Sequence, residues 1–299
     1  MQERGGVIRY IGFTAEGSSA GVEELIAAGA FDTMQVRYNL MYQLISSGGR
    51  LVADSLTLEV FFRGRYRILT TERDRDLVEI VISYLDHGVR RIEGLFSTKA
   101  EIPFLNVFIC PSRSIFDDFV QVITTVPTSA GRIGQPQGHD LYILSPKSYR
   151  SDAPHYGRDE LPFYDPVDLK RILVHELVHV WEELSSPREA MELGEDWFSE
   201  GMAMYIAEHN REARFESELR ADFSKGIIPK PEELSGDRAY TWGCVLFEFL
   251  LKEVGPKPLL EMITKTTHEN IIALLQLEPS SFWERYLDYV DTRMSIPSQ

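Results

Sequence analysis

The sequence predicts an α+β protein, with a small mixed sheet followed by a mostly helical C-terminal half and preceded by a short βαβ segment. Three observations carry that reading. Runs rich in β-formers fall before residue 145, and almost everything from residue 165 onward reads as helix. The first 43 residues, taken alone, read as strand, helix and strand with short joints.

In chain order, "VIRYIGF" (residues 7–13) is β-rich. "SSAGVEELIAAGAF" follows as a helix, with Ser18 or Ser19 as its N-cap and Gly29 at its far end. "FDTMQVRYNL" is the second strand. "SSGG" (residues 46–49) is a linker-like break that separates residues 1–46 from a larger domain, residues 50–299. "LTLEVFF" and "RYRILTT" read as strands of a hairpin around Arg63 and Gly64. "RDLVEIVISYLDHGVRRIEGLF" has apolar positions three and four apart and reads as helix. "FLNVFIC" is a buried strand, "SIFDDFVQVI" a short helix, and "TSAGRIGQPQGHDLYILS" a glycine-punctuated loop running into another strand. There is no internal repeat and no low-complexity tract.

Composition narrows the function classes. The 299 residues are 43% hydrophobic and 26% charged, enough to bury a sizeable core. A net charge of −15 argues against nucleic acid, whose binders need a basic stripe. No run of about 18 apolar residues suggests a membrane span, and "MQERGGVIRY" has no secretion-signal core. By absence of other signals, a cytoplasmic location is expected. Cys110 and Cys244 fit no zinc or disulfide spacing and read as buried free thiols.

The chemistry-bearing stretch is "RILVHELVHVWEEL", residues 171–184. Asp165 can cap this helix, Pro166 suits its first turn, Asp168 complements the dipole there, and Ser185, Ser186 and Pro187 end it. His175 and His179 are four apart, so they stack on one helical face and can offer two imidazole nitrogens to one ion. Glu176 is turned about 100° away, beside the ion, where it can hold a water as general base. The bland alternative is a core helix with two satisfied histidines. A helix this apolar gains nothing from three buried ionisable groups without a metal or partners to compensate them. Beyond it, "DWFSEGMAMY" (residues 196–205) offers Glu200 as a third ligand, with Glu192 and Glu195 as rivals in the intervening loop.

HELVH together with W-x-x-E-G-x-A-x-Y resembles the gluzincin zinc peptidases, the thermolysin-like and aminopeptidase-like clan, over about residues 55–295. The resemblance implies a zincin domain, a Zn²⁺ cofactor held by His175, His179 and Glu200, Glu176 as general base, and a peptide or protein as substrate. It also points to Tyr240, in "AYTWGCVLFEFLLKEVG", as donor to the oxyanion. Tyr240 and Gly243 match the aminopeptidase pattern Y-x-K-G, but Trp242 replaces its lysine. Metzincins are excluded, because Glu182 and Ser185 stand where they have glycine and histidine. No amine-gripping Gly-x-Met-Glu-Asn segment precedes the helix; "GRIGQPQGHD" takes its place. Met204 stands where thermolysin-like enzymes have a histidine-orienting aspartate, so another acceptor must serve. "GHDLYILS" is the strand expected to receive an extended peptide. His139, His209 and the carboxylates of "RDELPFYD" and "REARFESELR" read as surface groups. The competing readings are an inactive peptidase-like binding or scaffold protein, and an amidase of non-peptide substrates.

Residues 6–43 are similar to a fragment of the aldo/keto reductases, through "IRYIGFT", "VEELIAAGAFD" and "MQVRYNL". That resemblance implies two barrel strands, with Thr14 and Gln35 where nicotinamide contacts arise. The family's catalytic residues have no counterpart here, so a remnant rather than a reductase is expected.

Overall fold

The computed structural model describes residues 12–13, 33–34, 58–124, 132–149, 166–186, 196–265, 271–275 and 277–296. Thr14, Ser18, Ser19, Gly29, Gln35, the "SSGG" break, Asp165, Pro187, Glu192, Glu195 and "RDELPFYD" lie outside them. The chain divides into two compact units, residues 1–57 with 117–128 and residues 58–116 with 129–299. In the first, β1 (Gly12–Phe13) pairs in parallel with β2 (Thr33–Met34), Gly12 opposite Thr33.

The second unit is α+β, built on a five-stranded mixed sheet in the order β3-β4-β5-β7-β6. β3 (Glu59–Arg63) and β4 (Tyr66–Thr70) form the expected hairpin, whose turn uses Gly64 at φ +57°, a conformation glycine adopts without a Cβ penalty. β5 (Leu105–Cys110) and β7 (Asp140–Leu144) run parallel to β4, while β6 (Gly134–Gln137) runs antiparallel to β7 along the outer edge. Period-two alternation sends Leu105, Val107, Ile109, Leu141 and Ile143 into the main core.

Helix α1 (Val78–Phe96) presents Val78, Val81, Leu85, Val89, Ile92 and Phe96 to that core, at spacings of three and four. It is followed by α2 (Arg113–Thr124), then α3 (Pro166–Ser185) and α4 (Asp196–Ile206). Next come α5 (Ala213–Ser224) and α6 (Asp237–Val254). The described helices end with α7 (Pro256–Lys265), α8 (Ile271–Leu274) and α9 (Pro279–Ser295). α3 is buried along most of its length through Leu169, Leu173, Val174, Leu177, Val178, Val180 and Trp181. It meets α1 at Gly88, where an added Cβ would lie 2.7 Å from Leu177 Cδ2, and at Phe96, which stacks on Trp181 at 5.2 Å. Among the described residues no helix is long and apolar enough to cross a membrane. Cys110 and Cys244 are buried and free.

Two sequence expectations are corrected here. "GQPQ" is not loop but β6, since proline and flanking glycines hide a four-residue strand from any periodicity. "GHDLYILS" contains β7, which is hydrogen-bonded on both sides, by β5 and by β6. Its backbone is therefore not open to a peptide; β6, among the described residues, is paired on one side alone.

Candidate metal centre

With α3 fixed by its apolar contacts, His175 and His179 stand one above the other, ring centroids 4.8 Å apart, at the wall of an open cleft of about 1240 Å³. Glu200 reaches them from α4. The position of α4 is set by its contact with α6, where the two backbones touch. A Cβ on Gly201 would lie 2.3 Å from the Gly243 carbonyl oxygen, and one on Gly243 would lie 2.5 Å from the Trp197 carbonyl oxygen. The glycines following Glu200 and Tyr240 are thus what let these helices approach. Trp242, in place of the lysine, is fully buried and donates from Nε1 to Asp222 Oδ2 at 3.1 Å.

Three donor atoms converge. His175 Nε2 lies 3.1 Å from Glu200 Oε2, His179 Nε2 lies 3.4 Å from that same oxygen, and the two Nε2 atoms are 3.1 Å apart. Zinc bound tetrahedrally at about 2.0–2.1 Å needs ligand atoms about 3.3 Å from one another, so the set stands at ligand spacing. Glu200 Oε2 is buried and faces the Nε2 atoms of both histidines. The donor types, two imidazoles and one carboxylate, suit zinc.

Two of the three groups, His175 and Glu200, are held in the charge state a ligand takes. Burial pushes His175 down to about 4, keeping its imidazole neutral, with a lone pair to give. Burial also opposes charge on His179, but hydrogen bonds to Glu182 and Glu200 outweigh it and raise His179 well above the usual histidine range. Burial opposes ionisation of Glu200, yet the two histidines beside it hold its carboxyl well below the usual range.

His179 is oriented from behind. Its Nδ1 is 3.3 Å from Ser199 Oγ, and the Ser199 hydroxyl donates to Glu182, a residue only 1% exposed. A carboxylate can only accept, so Ser199 Oγ is left to accept from His179 Nδ1–H, and Nε2 is turned toward Glu200. Glu182 and Ser199, not Met204, are the groups that stand behind His179. Their sequence signal was an acid three residues beyond His179 on an apolar helix, and a hydroxyl next to Glu200. His175 Nδ1 is buried with no hydrogen-bond partner among the described residues.

Glu176 lies against β6. An added Cβ on Gly134 would meet its Oε1 at 2.4 Å, so only glycine leaves the carboxylate its place. Burial, above all, raises Glu176 to about 7, with the charge of His179 opposing and that of Glu200 assisting. Tyr240 is 40% exposed, and its ring stacks on that of His175 at 6.0 Å and 13°. Burial and the Glu200 charge raise its hydroxyl, keeping it a donor.

His209, read from sequence as a surface group, instead lines the cleft, edge-on to His175 at 5.7 Å, with Nδ1 bonded to Glu212. Glu212 in turn pairs with Arg171 at 3.4 Å, so this acid of "REARFESELR" is also not merely solvated. The tertiary return of the chain after α4 brings His209 there, which residue order alone does not reveal. His139 faces the Phe104 carbonyl at 3.0 Å and does not line the cleft. Compared with protein-family models and with curated proteins, the chain matches none.

Proposed function

We propose that this chain is a zinc-dependent peptidase of the gluzincin type, its second unit a zincin domain. The observation that supports the reading best is the convergence of His175, His179 and Glu200 at ligand spacing, with Glu176 at the same wall of the cleft. His175 Nε2, His179 Nε2 and Glu200 Oε2 would hold the ion. When bound, zinc supplies Lewis acidity there, activating water and polarising a carbonyl.

The remaining roles belong to the chain itself. A Glu176 carboxylate oxygen takes the proton of the attacking water and hands it to the departing amide nitrogen. The Tyr240 hydroxyl donates to the oxygen on which negative charge develops. Ser199 and Glu182 hold His179 in its orientation. β6 receives the peptide. Leu144 N–H donates to Ile133 O, and Gly134 pairs with Ile143. Residues 133 and 135 therefore bond inward, and the N–H and C=O of Gly134 face away from β7, whereas Pro136 has no N–H and its carbonyl accepts from Gln135 Nε2.

The test is digestion of a peptide library by the zinc-loaded full chain, with Glu176→Gln as control. Glutamine keeps the size of the side chain but takes no proton, so hydrolysis should fall at least about a hundredfold while zinc stays bound. Zinc-loaded parent protein that cleaves no peptide in the library sinks the reading.

A further inference from the structure

Along β6 the charges differ from one end to the other, while Glu212, Glu218, Asp222 and Asp237 add acid elsewhere in the cleft. β6 and α3 run in the same direction, since Gly134 meets Glu176 and Gly138 N–H donates to Glu183 at 2.9 Å. At the Gly138 end stand Glu183 and Asp196; Asp196 lies one turn before Ser199, which contacts Glu182. At the opposite end stands Arg132. Side chains two apart in an extended segment share a face, so Arg132 points to the side on which the Cα of Gly134 meets Glu176. Its backbone is pinned there, because Arg113 Nη1 donates to the Arg132 carbonyl at 2.6 Å. Arg132 lines the cleft, close enough for its charge to act on Glu176 and Tyr240, and among the described residues it forms no salt bridge. Arg238, two residues ahead of Tyr240, is a second guanidinium lining the same cleft.

We propose that Arg132 anchors the C-terminal carboxylate of the substrate, so that the cleft selects peptides cut one or two residues from a free C-terminus. The proposal rests on the peptidase reading above and names its substrate class. A peptide added antiparallel to β6, the stronger of the two pairings, points its C-terminal side toward Arg132 and its N-terminal side toward Glu183 and Asp196. Charge and strand direction thus agree; a parallel peptide would set each terminus against like charge. Arg132 lies two residues from the Gly134–Glu176 contact. At about 3.3 Å per residue, that spacing places the carboxylate one or two residues beyond the scissile bond. A guanidinium grips a carboxylate through two parallel hydrogen bonds, which an amide cannot match.

The test has a binding arm and a digestion arm. In the first, an acetylated tripeptide with a free carboxylate and its C-terminal amide are titrated by calorimetry into zinc-loaded Glu176→Gln protein. The acid should bind at least about tenfold tighter, the margin vanishing with Arg132→Gln added and returning in part with Arg132→Lys. In the second, the parent should release one- or two-residue fragments from the C-terminus of free-acid peptides, with the preference appearing in KM. Equal binding of acid and amide, or no binding of either, overturns the anchor. Digestion of amidated peptides as readily as free acids also overturns it but leaves the peptidase reading standing. An Arg132-dependent binding margin without any digestion keeps the anchor and removes the peptidase.

Discussion

The two outer strands of the sheet, β3 and β6, are both antiparallel to their neighbours, yet they end in opposite surroundings. β3 carries its charges outward. Arg63 pairs with Glu79 at 3.1 Å with both side chains more than half exposed, Glu59 pairs with Arg75, and Phe62 is 64% exposed. These are the usual means of blunting a solvent-facing edge. β6 carries no charged residue at all. It has Gly134 pressed to Glu176, Pro136 without an N–H, and Gln135, whose amide donates to the Pro136 carbonyl at 2.8 Å. The difference teaches that one edge can be guarded by charge while the other is left plain, as the proposed peptide site requires. In the second case the residues that matter have small side chains or none.

The sharpest way to break that contrast is Gly134→Ala. The added Cβ would meet Oε1, Cγ and Cδ of Glu176, all within 2.6 Å, so the whole side chain must move. Stability should fall by about 1–3 kcal/mol, while the peptide hydrolysis proposed above falls at least about a hundredfold, because the proposed general base would have left its place. Urea melts and rate measurements on the same preparation check both. Unchanged rates would show that the approach of β6 to Glu176 does not matter to the chemistry.

A second variant sharpens the comparison through stability and needs no activity. In the metal-free protein Glu176 is raised to about 7, mainly by burial, from an ordinary 4.5. Below pH 4.5 both folded and unfolded chains hold the proton, and there is no penalty. As pH rises the unfolded chain ionises first, so stability is lost progressively until the pH passes about 7. Glu176→Gln removes that loss. It should leave the metal-free protein unchanged at pH 4 and stabilise it at pH 8, by at most about 3 kcal/mol. Denaturant melts of metal-stripped protein at the two pH values decide it. An equal gain at both would mean that packing, not ionisation, distinguishes the two side chains.

The same contrast governs what could be read from sequence. Charged and aromatic residues at helical spacing announce themselves: His175, Glu176 and His179 by their offsets on one helix, Glu200 and Tyr240 by the words around them. The hairpin at Gly64 was legible because two β-rich runs flank a residue suited to positive φ. β6 was not, since four residues containing proline show no period, and its role as the open edge depends on β7 being paired on both sides. Arg132 and His209 were hidden for a related reason. Each reaches the cleft through a chain return whose geometry is set by distant contacts, not by neighbours in sequence. Gly201 and Gly243 stood inside recognised words, but their reason, contact between two helix backbones, belongs to tertiary packing.

The smallest effect belongs to the β3 edge. The Arg63–Glu79 pair has good geometry at 3.1 Å, but its side chains are 53% and 70% exposed. Water already solvates both charges, so little Coulomb energy is gained by bringing them together. Ordering two long side chains offsets much of that gain, and salt screens the remainder. A double-mutant cycle of Arg63→Ala and Glu79→Ala, read by urea melts of the full chain, should give a coupling of no more than about 0.5 kcal/mol, shrinking with added salt. Zinc affinity should not move, because neither residue lines the cleft. A coupling above about 1 kcal/mol would mean that this edge is structurally braced by its ion pair. The division between a solvent-guarded strand and a ligand-facing one would then no longer describe the sheet.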